Sequence, residues 1–112
     1  MRRVEPCIAA EPTQYIVVRR DLPLGVLAAQ VAHAAGSSSD RHPPEAHVVV
    51  LGVENEEHLR KVAARLEARE IPHVLVVEVD CPYEGQAMSI GLDLVVDRTA
   101  IRKAVSDLPL LR

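Results

Sequence analysis

A chain of 112 residues with a formal charge of −3 has room for one domain and one core, and excludes a surface wrapped in a strongly basic field. Phe and Trp are absent and Tyr15 and Tyr83 are the two aromatic residues, which argues against a base-stacking platform for single-stranded nucleic acid. No apolar run reaches the ~18–20 residues of a membrane-spanning helix, so no membrane partner is expected.

Residues 1–13 carry two prolines and no sustained period, and read as an N-terminal arm ahead of a single domain over 14–112. Behind Arg2 and Arg3 there is no apolar signal core, and a cytoplasmic location is expected. Tyr15-Ile16-Val17-Val18 is a β-branched run whose continuous apolarity predicts a strand covered on both faces. Asp21 suits a helix N-cap, Pro23 fits a first helical turn, and the helix should run from about Leu24 to Ala35 and stop at Gly36. Residues 36–44 are loop by composition.

His47 to Val53 predicts the second strand, and Asn55 caps a second helix from about Glu56 to Arg69. Leu59, Val62, Ala63 and Leu66 form the buried stripe of that helix, whereas Glu56–Arg60 and Glu57–Lys61 read as solvated i,i+4 pairs. His73 to Val79 is the third strand. The turn from Asp80 to Gly85 is too short for a crossover helix, so a fourth strand, about Ala87 to Leu92, returns antiparallel. Asp97 caps a last helix to about Ser106, and the tail Leu108-Pro109-Leu110-Leu111 packs either on the domain or on a second copy.

The expected architecture is therefore α/β, three-layered, with order β-α-β-α-β-β-α and a four-stranded mixed sheet of three parallel strands and one antiparallel. Ligands in such sheets bind beyond the carboxyl ends of the strands, here Arg19-Arg20-Asp21, Val53-Glu54-Asn55 and Glu78-Val79-Asp80. Cys7 and Cys81 lack any metal-ligand spacing and read as reduced thiols, and a nucleophilic Cys81 has no histidine–carboxylate support in the sequence. His42, His47, His58 and His73 are scattered without a ligand pattern, so no metal is expected.

Gln30 and His33 are the polar groups in an otherwise apolar helix. They either bond neighbouring backbone groups or line a site beside Asp21. Local anion-binding candidates are Arg2, Arg3, Arg19, Arg20 and Arg41.

Val18-Arg19-Arg20-Asp21-Leu22, followed by Ala28-Ala29-Gln30-Val31-Ala32-His33-Ala34, resembles the signature of type II peptidyl-tRNA hydrolases, in which R-x-D-L leads into a helix carrying A-A-Q-x-x-H-A. A strand ending at Asp80 and the Ile90-Gly91 pair extend the resemblance over about Tyr15 to Arg102. It implies an esterase cleaving the bond between a peptide and the terminal ribose of tRNA, without metal or cofactor, often as a homodimer. Carried over by position, Asp80 orients water, Arg19 and Arg20 hold acceptor-end phosphates, and Asp21, Gln30 and His33 organise the site.

Two departures bear on chemistry. The family's lysine-bearing K-G-K segment is replaced by Pro23-Leu24-Gly25-Val26-Leu27, which leaves Arg19 or Arg20 to supply the positive charge in its place, and Gln86 is the closest match to the family's threonine. The D-L-P-x-G-V-x-A-A-Q pattern resembles a shorter bacterial or phage-like branch. Two alternatives stand beside hydrolysis: a non-catalytic module of this fold that binds tRNA or a protein, and a hydrolase or transferase for another acylated or peptidyl substrate.

Overall fold

The computed structural model describes residues 12–112; residues 1–11 of the expected arm, with Arg2, Arg3 and Cys7, lie outside the described residues. Strand β1 spans Thr13–Arg19 and is buried at all seven positions. It shows no polar alternation because helices cover both of its faces. Tyr15 and Val17 face the main core, whereas Gln14 bonds the opposite helix, and Ile16 and Val18 share its side by alternation.

The remaining elements are α1 (Leu24–Ser38), β2 (His47–Val53), α2 (Glu56–Ala68), β3 (Val74–Val77), β4 (Ala87–Gly91) and α3 (Thr99–Ala104). The sheet is four-stranded and mixed, in the order β2-β1-β4-β3. β1 and β2 are parallel, from Thr13 opposite His47 to Arg19 opposite Val53. Both other pairings are antiparallel.

The expected block of three parallel strands does not form. The β3–β4 hairpin swings β4 into the place beside β1 and leaves β3 at the far edge, so β1–β2 is the one parallel pair. β3 still points the way β1 does without touching it. The carboxyl ends of β1, β2 and β3 therefore lie at one end of the sheet, with the start of β4 among them.

One face of the sheet carries α2 and α3. Leu59, Val62, Ala63 and Leu66 of α2 and Ile101 and Ala104 of α3 join Tyr15, Val17, Leu51, Val53 and Ile90 in the core. Each fully buried aliphatic side chain there contributes about 1.5–3 kcal/mol. Asn55 caps α2 as its sequence suggests, its Oδ1 accepting the His58 N–H at 2.9 Å. Asp97 likewise accepts the Thr99 N–H at 3.0 Å, at the start of α3.

Helix α1 covers the other face and departs from expectation at both ends. Asp21 is not its N-cap; Pro23 occupies that position without a side-chain cap, because the Asp21 carboxylate is turned to Arg19. Nor does Gly36 stop the helix, which continues to Ser38. Its last carbonyls are satisfied by side chains instead: Ser38 Oγ donates to Ala34 O, and Gln14 Nε2 donates to Ala35 O. The approach to β4 is close enough that a Cβ on Gly91 would lie 2.2 Å from Ala34 O.

The C-terminal tail settles on the domain. Gly52 N–H donates to Pro109 O and Leu111 N–H to Val50 O, each at 2.9 Å, so the tail lies along the outer edge of β2.

Candidate functional site

Arg19 ends β1 with its side chain on the α2 face, and it is only 7% exposed. A buried guanidinium needs acceptors, and it has them. Nε and Nη2 each donate to one Asp21 carboxylate oxygen at 2.9 Å, a bidentate fork. Nη1 donates to Gln86 Oε1 at 2.8 Å and to Ala87 O at 3.2 Å. One side chain thus ties the loop after β1 to the first residues of β4. The Asp21 hydrogen bond outweighs burial and raises the Arg19 pKa, and the same bond holds the Asp21 carboxyl below its ordinary value.

Because Arg19 is a donor only, Gln86 must present Oε1 to it. Gln86 Nε2 makes no bond with a described residue and remains a free donor at the start of β4. Glu56, in the first turn of α2, completes the frame. Its Oε2 accepts the Ala87 N–H at 2.9 Å and Arg60 Nε at 3.1 Å. The Ala87 N–H, then Arg60, hold its carboxyl below the usual range. Arg60 Nη2 also reaches Gly85 O at 3.4 Å. The Glu56–Arg60 pair is therefore more than a solvated surface pair, since it fastens α2 to the turn before β4. That turn needs Gly85, whose φ of +81° few other residues adopt.

Arg20 leaves in the other direction. Its aliphatic stem lies on Gly52, where a Cβ would come within 2.8 Å of Arg20 Cδ, and its guanidinium stands 4.0 Å from Glu54. It is half-exposed and free to meet an anion at the rim.

On the α1 side, Gln30 is buried and its Nε2 donates to Glu78 Oε1 at 3.0 Å. Glu78 Oε2 accepts the Asp80 N–H at 3.3 Å, so Gln30 props the turn that carries Asp80. Gln30 Oε1 is buried without a hydrogen-bond partner among the described residues. Asp80 is exposed, and no described residue bonds its carboxylate.

His33 stands apart. It lies on the exposed side of α1 and makes no hydrogen bond with a described residue. The buried positions of α1 are Gln30 and Ala34, so of the two helix residues expected to organise the site only Gln30 turns inward. Cys81 is an exposed thiol, with Glu84 Oε1 3.9 Å from its Sγ. Among the described residues no cluster of three or more His, Cys, Asp or Glu side chains is placed to hold a metal ion.

The structure thus joins Arg19, Asp21 and Gln86 directly and Gln30 to Asp80 through Glu78. Glu56 and Glu78 are the site residues that sequence reasoning missed. Glu56 hid inside an i,i+4 pair, and Glu78 gave no signal beyond its place at a strand end.

The family model described as peptidyl-tRNA hydrolase PTH2 matches residues 12–109. Among solved structures, a protein of unknown function, Atu0240, from Agrobacterium tumefaciens strain C58 superposes with a TM-score of 0.56 at 19% identity, over 89% of this chain and 97% of that one. At that identity the likeness speaks for the fold alone. No curated protein matches the chain.

Proposed function

Because the chain belongs to the peptidyl-tRNA hydrolase PTH2 family, we propose that it hydrolyses the ester between a peptide and the 3′ ribose of tRNA. The observation that carries this reading is the Arg19 fork, which fixes Asp21 and Gln86 together at the end of the sheet. Asp80, with its carboxylate unengaged, orients the attacking water and accepts its proton. Gln86 Nε2 donates to the oxyanion as the tetrahedral intermediate forms. Collapse of that intermediate breaks the bond to the ribose oxygen, which leaves with the proton that Asp80 took from the water. Arg20 holds an acceptor-end phosphate at the rim. Arg19, Gln30 and Glu56 act as positioning residues: Arg19 bonds Asp21 and Gln86, Gln30 Nε2 bonds Glu78, and Glu56 bonds the Ala87 N–H and Arg60.

Outside the described pole, the same reading includes the cytoplasm as location and a homodimer. The exposed side of α1 supports the dimer: no Asp, Glu, Lys or Arg occurs from Leu24 to Ser38, and Leu24 is 82% exposed.

A second reading, a binding module without catalysis, draws on the same fork. Arg19 spends its charge on Asp21, and the segment that follows lacks a lysine, so the half-exposed cations near the fork are Arg20, beside Glu54, and Arg60, paired with Glu56. Single-turnover hydrolysis of purified peptidyl-tRNA separates the two. The expected result is release of free tRNA that falls about 10²–10³-fold in Asp80→Ala and Gln86→Ala, with a smaller loss in Arg20→Ala. A folded wild type that binds the tRNA but releases no more than the uncatalysed background would instead favour the binding module.

A further inference from the structure

At the opposite end of the sheet, where β1 and β2 begin, an open cleft of about 1070 Å³ lies between β2 and α3. Val48, Val49 and Val96 give it an apolar floor, and Arg98, Arg102 and Lys103 line it with positive charge. Asp97, the one carboxylate that the described residues contribute to its lining, is engaged by the Thr99 N–H. Arg98 is held in place, its guanidinium 5.8 Å above the Tyr15 ring and its Nη1 3.4 Å from Thr13 Oγ1. Arg102 and Lys103 are exposed, and neither side chain bonds a described residue. A chain that is acidic overall therefore gathers three cations against one carboxylate here.

The backbone beside this cleft supplies a second, independent observation. β2 is an edge strand. Its odd residues turn their polar groups inward, His47 N–H to Pro12 O and Val53 O to Arg20 N–H. Its even residues turn theirs outward, where Gly52 N–H and Val50 O meet the C-terminal tail. By the same alternation Val48 presents both its N–H and its C=O outward, where no described residue bonds them. The outer edge of β2 thus already accepts one extended segment, and the next pairing position opens onto the cationic cleft. Val48 itself is 46% exposed.

We propose that this cleft docks an acidic polypeptide segment in extended conformation, which adds to the outer edge of β2 at Val48. The segment's backbone pairs with Val48, as edge strands pair with added strands generally. Its carboxylates meet Arg102 and Lys103 on the α3 side of the sheet, and the side chains that alternate with them rest on Val48 on the other side. A polynucleotide would satisfy the cations but not the alternating donor and acceptor of the strand edge, which favours a polypeptide.

The test uses the full chain and a fluorescently labelled heptapeptide of alternating Glu and Val, followed by anisotropy and by amide NMR. Saturable binding with a shifted Val48 amide is expected, weakened at least about tenfold by Arg102→Glu/Lys103→Glu. Val48→Pro, which removes the outward donor and trims the Val48 side chain, should weaken binding in a protein whose melting temperature confirms its fold, and Val48→Ala, which keeps the donor, should weaken it less. A matching Lys-Val peptide should not bind. The proposal is overturned if the acidic peptide does not bind, or if the charge reversals leave its affinity unchanged. It is equally overturned if an RNA oligonucleotide competes for the same cations while the Val48 amide stays unmoved, which would make the cleft a polyanion surface.

Discussion

A guanidinium as buried as that of Arg19 must place its N–H groups on fixed acceptors, and this requirement organises the site. Asp21 accepts from Nε and from Nη2, and Nη1 donates to Gln86 Oε1 and to the Ala87 carbonyl. Asp21→Asn keeps the shape but sets an amide donor against a guanidinium that only donates. The expected cost is about 1 kcal/mol, at the modest end because the Asp21 side chain is 38% exposed and water screens the pair. The sign of its pH dependence follows from the lowered Asp21 pKa. Stability from the ionised carboxylate is fully present above the unfolded value of about 3.9, and disappears as pH falls through the lower folded value. Thermal melts should therefore show the largest gap between wild type and Asp21→Asn near pH 6–7, closing as pH falls toward about 3. A gap that widens in acid would show that the carboxylate is not the stabilising form. Arg19 and Asp21 were legible in the sequence because they stand two residues apart in one motif. Gln86 and Glu56 meet them only through the fold, from 67 and 37 residues beyond Arg19, and no local pattern announces that meeting.

Between elements, the decisive contact is α1 on β4. Gly91 was readable as a motif residue, but its reason is steric. Ala34 O and Ser38 Oγ occupy the space a Cβ would need, at 2.2 and 2.6 Å. The nearer atom is helix backbone, so the whole helix must lift. Gly91→Ala should destabilise the fold by about 3 kcal/mol, the upper end for overpacking. That corresponds to a drop in melting temperature of about 10 °C or more. A loss of only a degree or two would mean that α1 rides on the sheet loosely. Element identity was legible where a stripe was strong, as in α2, whose four buried residues came straight from its period. The C-terminus of α1 was not. Gly36 offered the usual stop signal, and the partners that override it, Gln14 in β1 and Leu92 just beyond β4, are far from it in sequence. The place of β4 between β1 and β3 was equally hidden, because periodicity says which segments are strands but nothing about their lateral order.

Across the whole molecule, charge is sorted by pole. The net −3 is a poor guide to either end. Arg19, Arg20 and Arg60 gather at the carboxyl ends of the strands, and Arg98, Arg102 and Lys103 at the amino ends. At the first pole Arg19 is consumed by Asp21, which leaves Arg20 and Arg60 as half-exposed cations. A tRNA acceptor end engaged there displaces few counterions. Each phosphate neutralised contributes roughly 0.7–0.9 to the slope of log affinity against log salt. Two arginines therefore give a slope of about −1.5, and Arg20→Ala should reduce its magnitude by nearly one. Filter binding of a deacylated tRNA across a salt series measures both. A slope as steep as about −4 would match the cations of both poles together, and the tRNA would then have to lie along the length of the sheet rather than against one end of it.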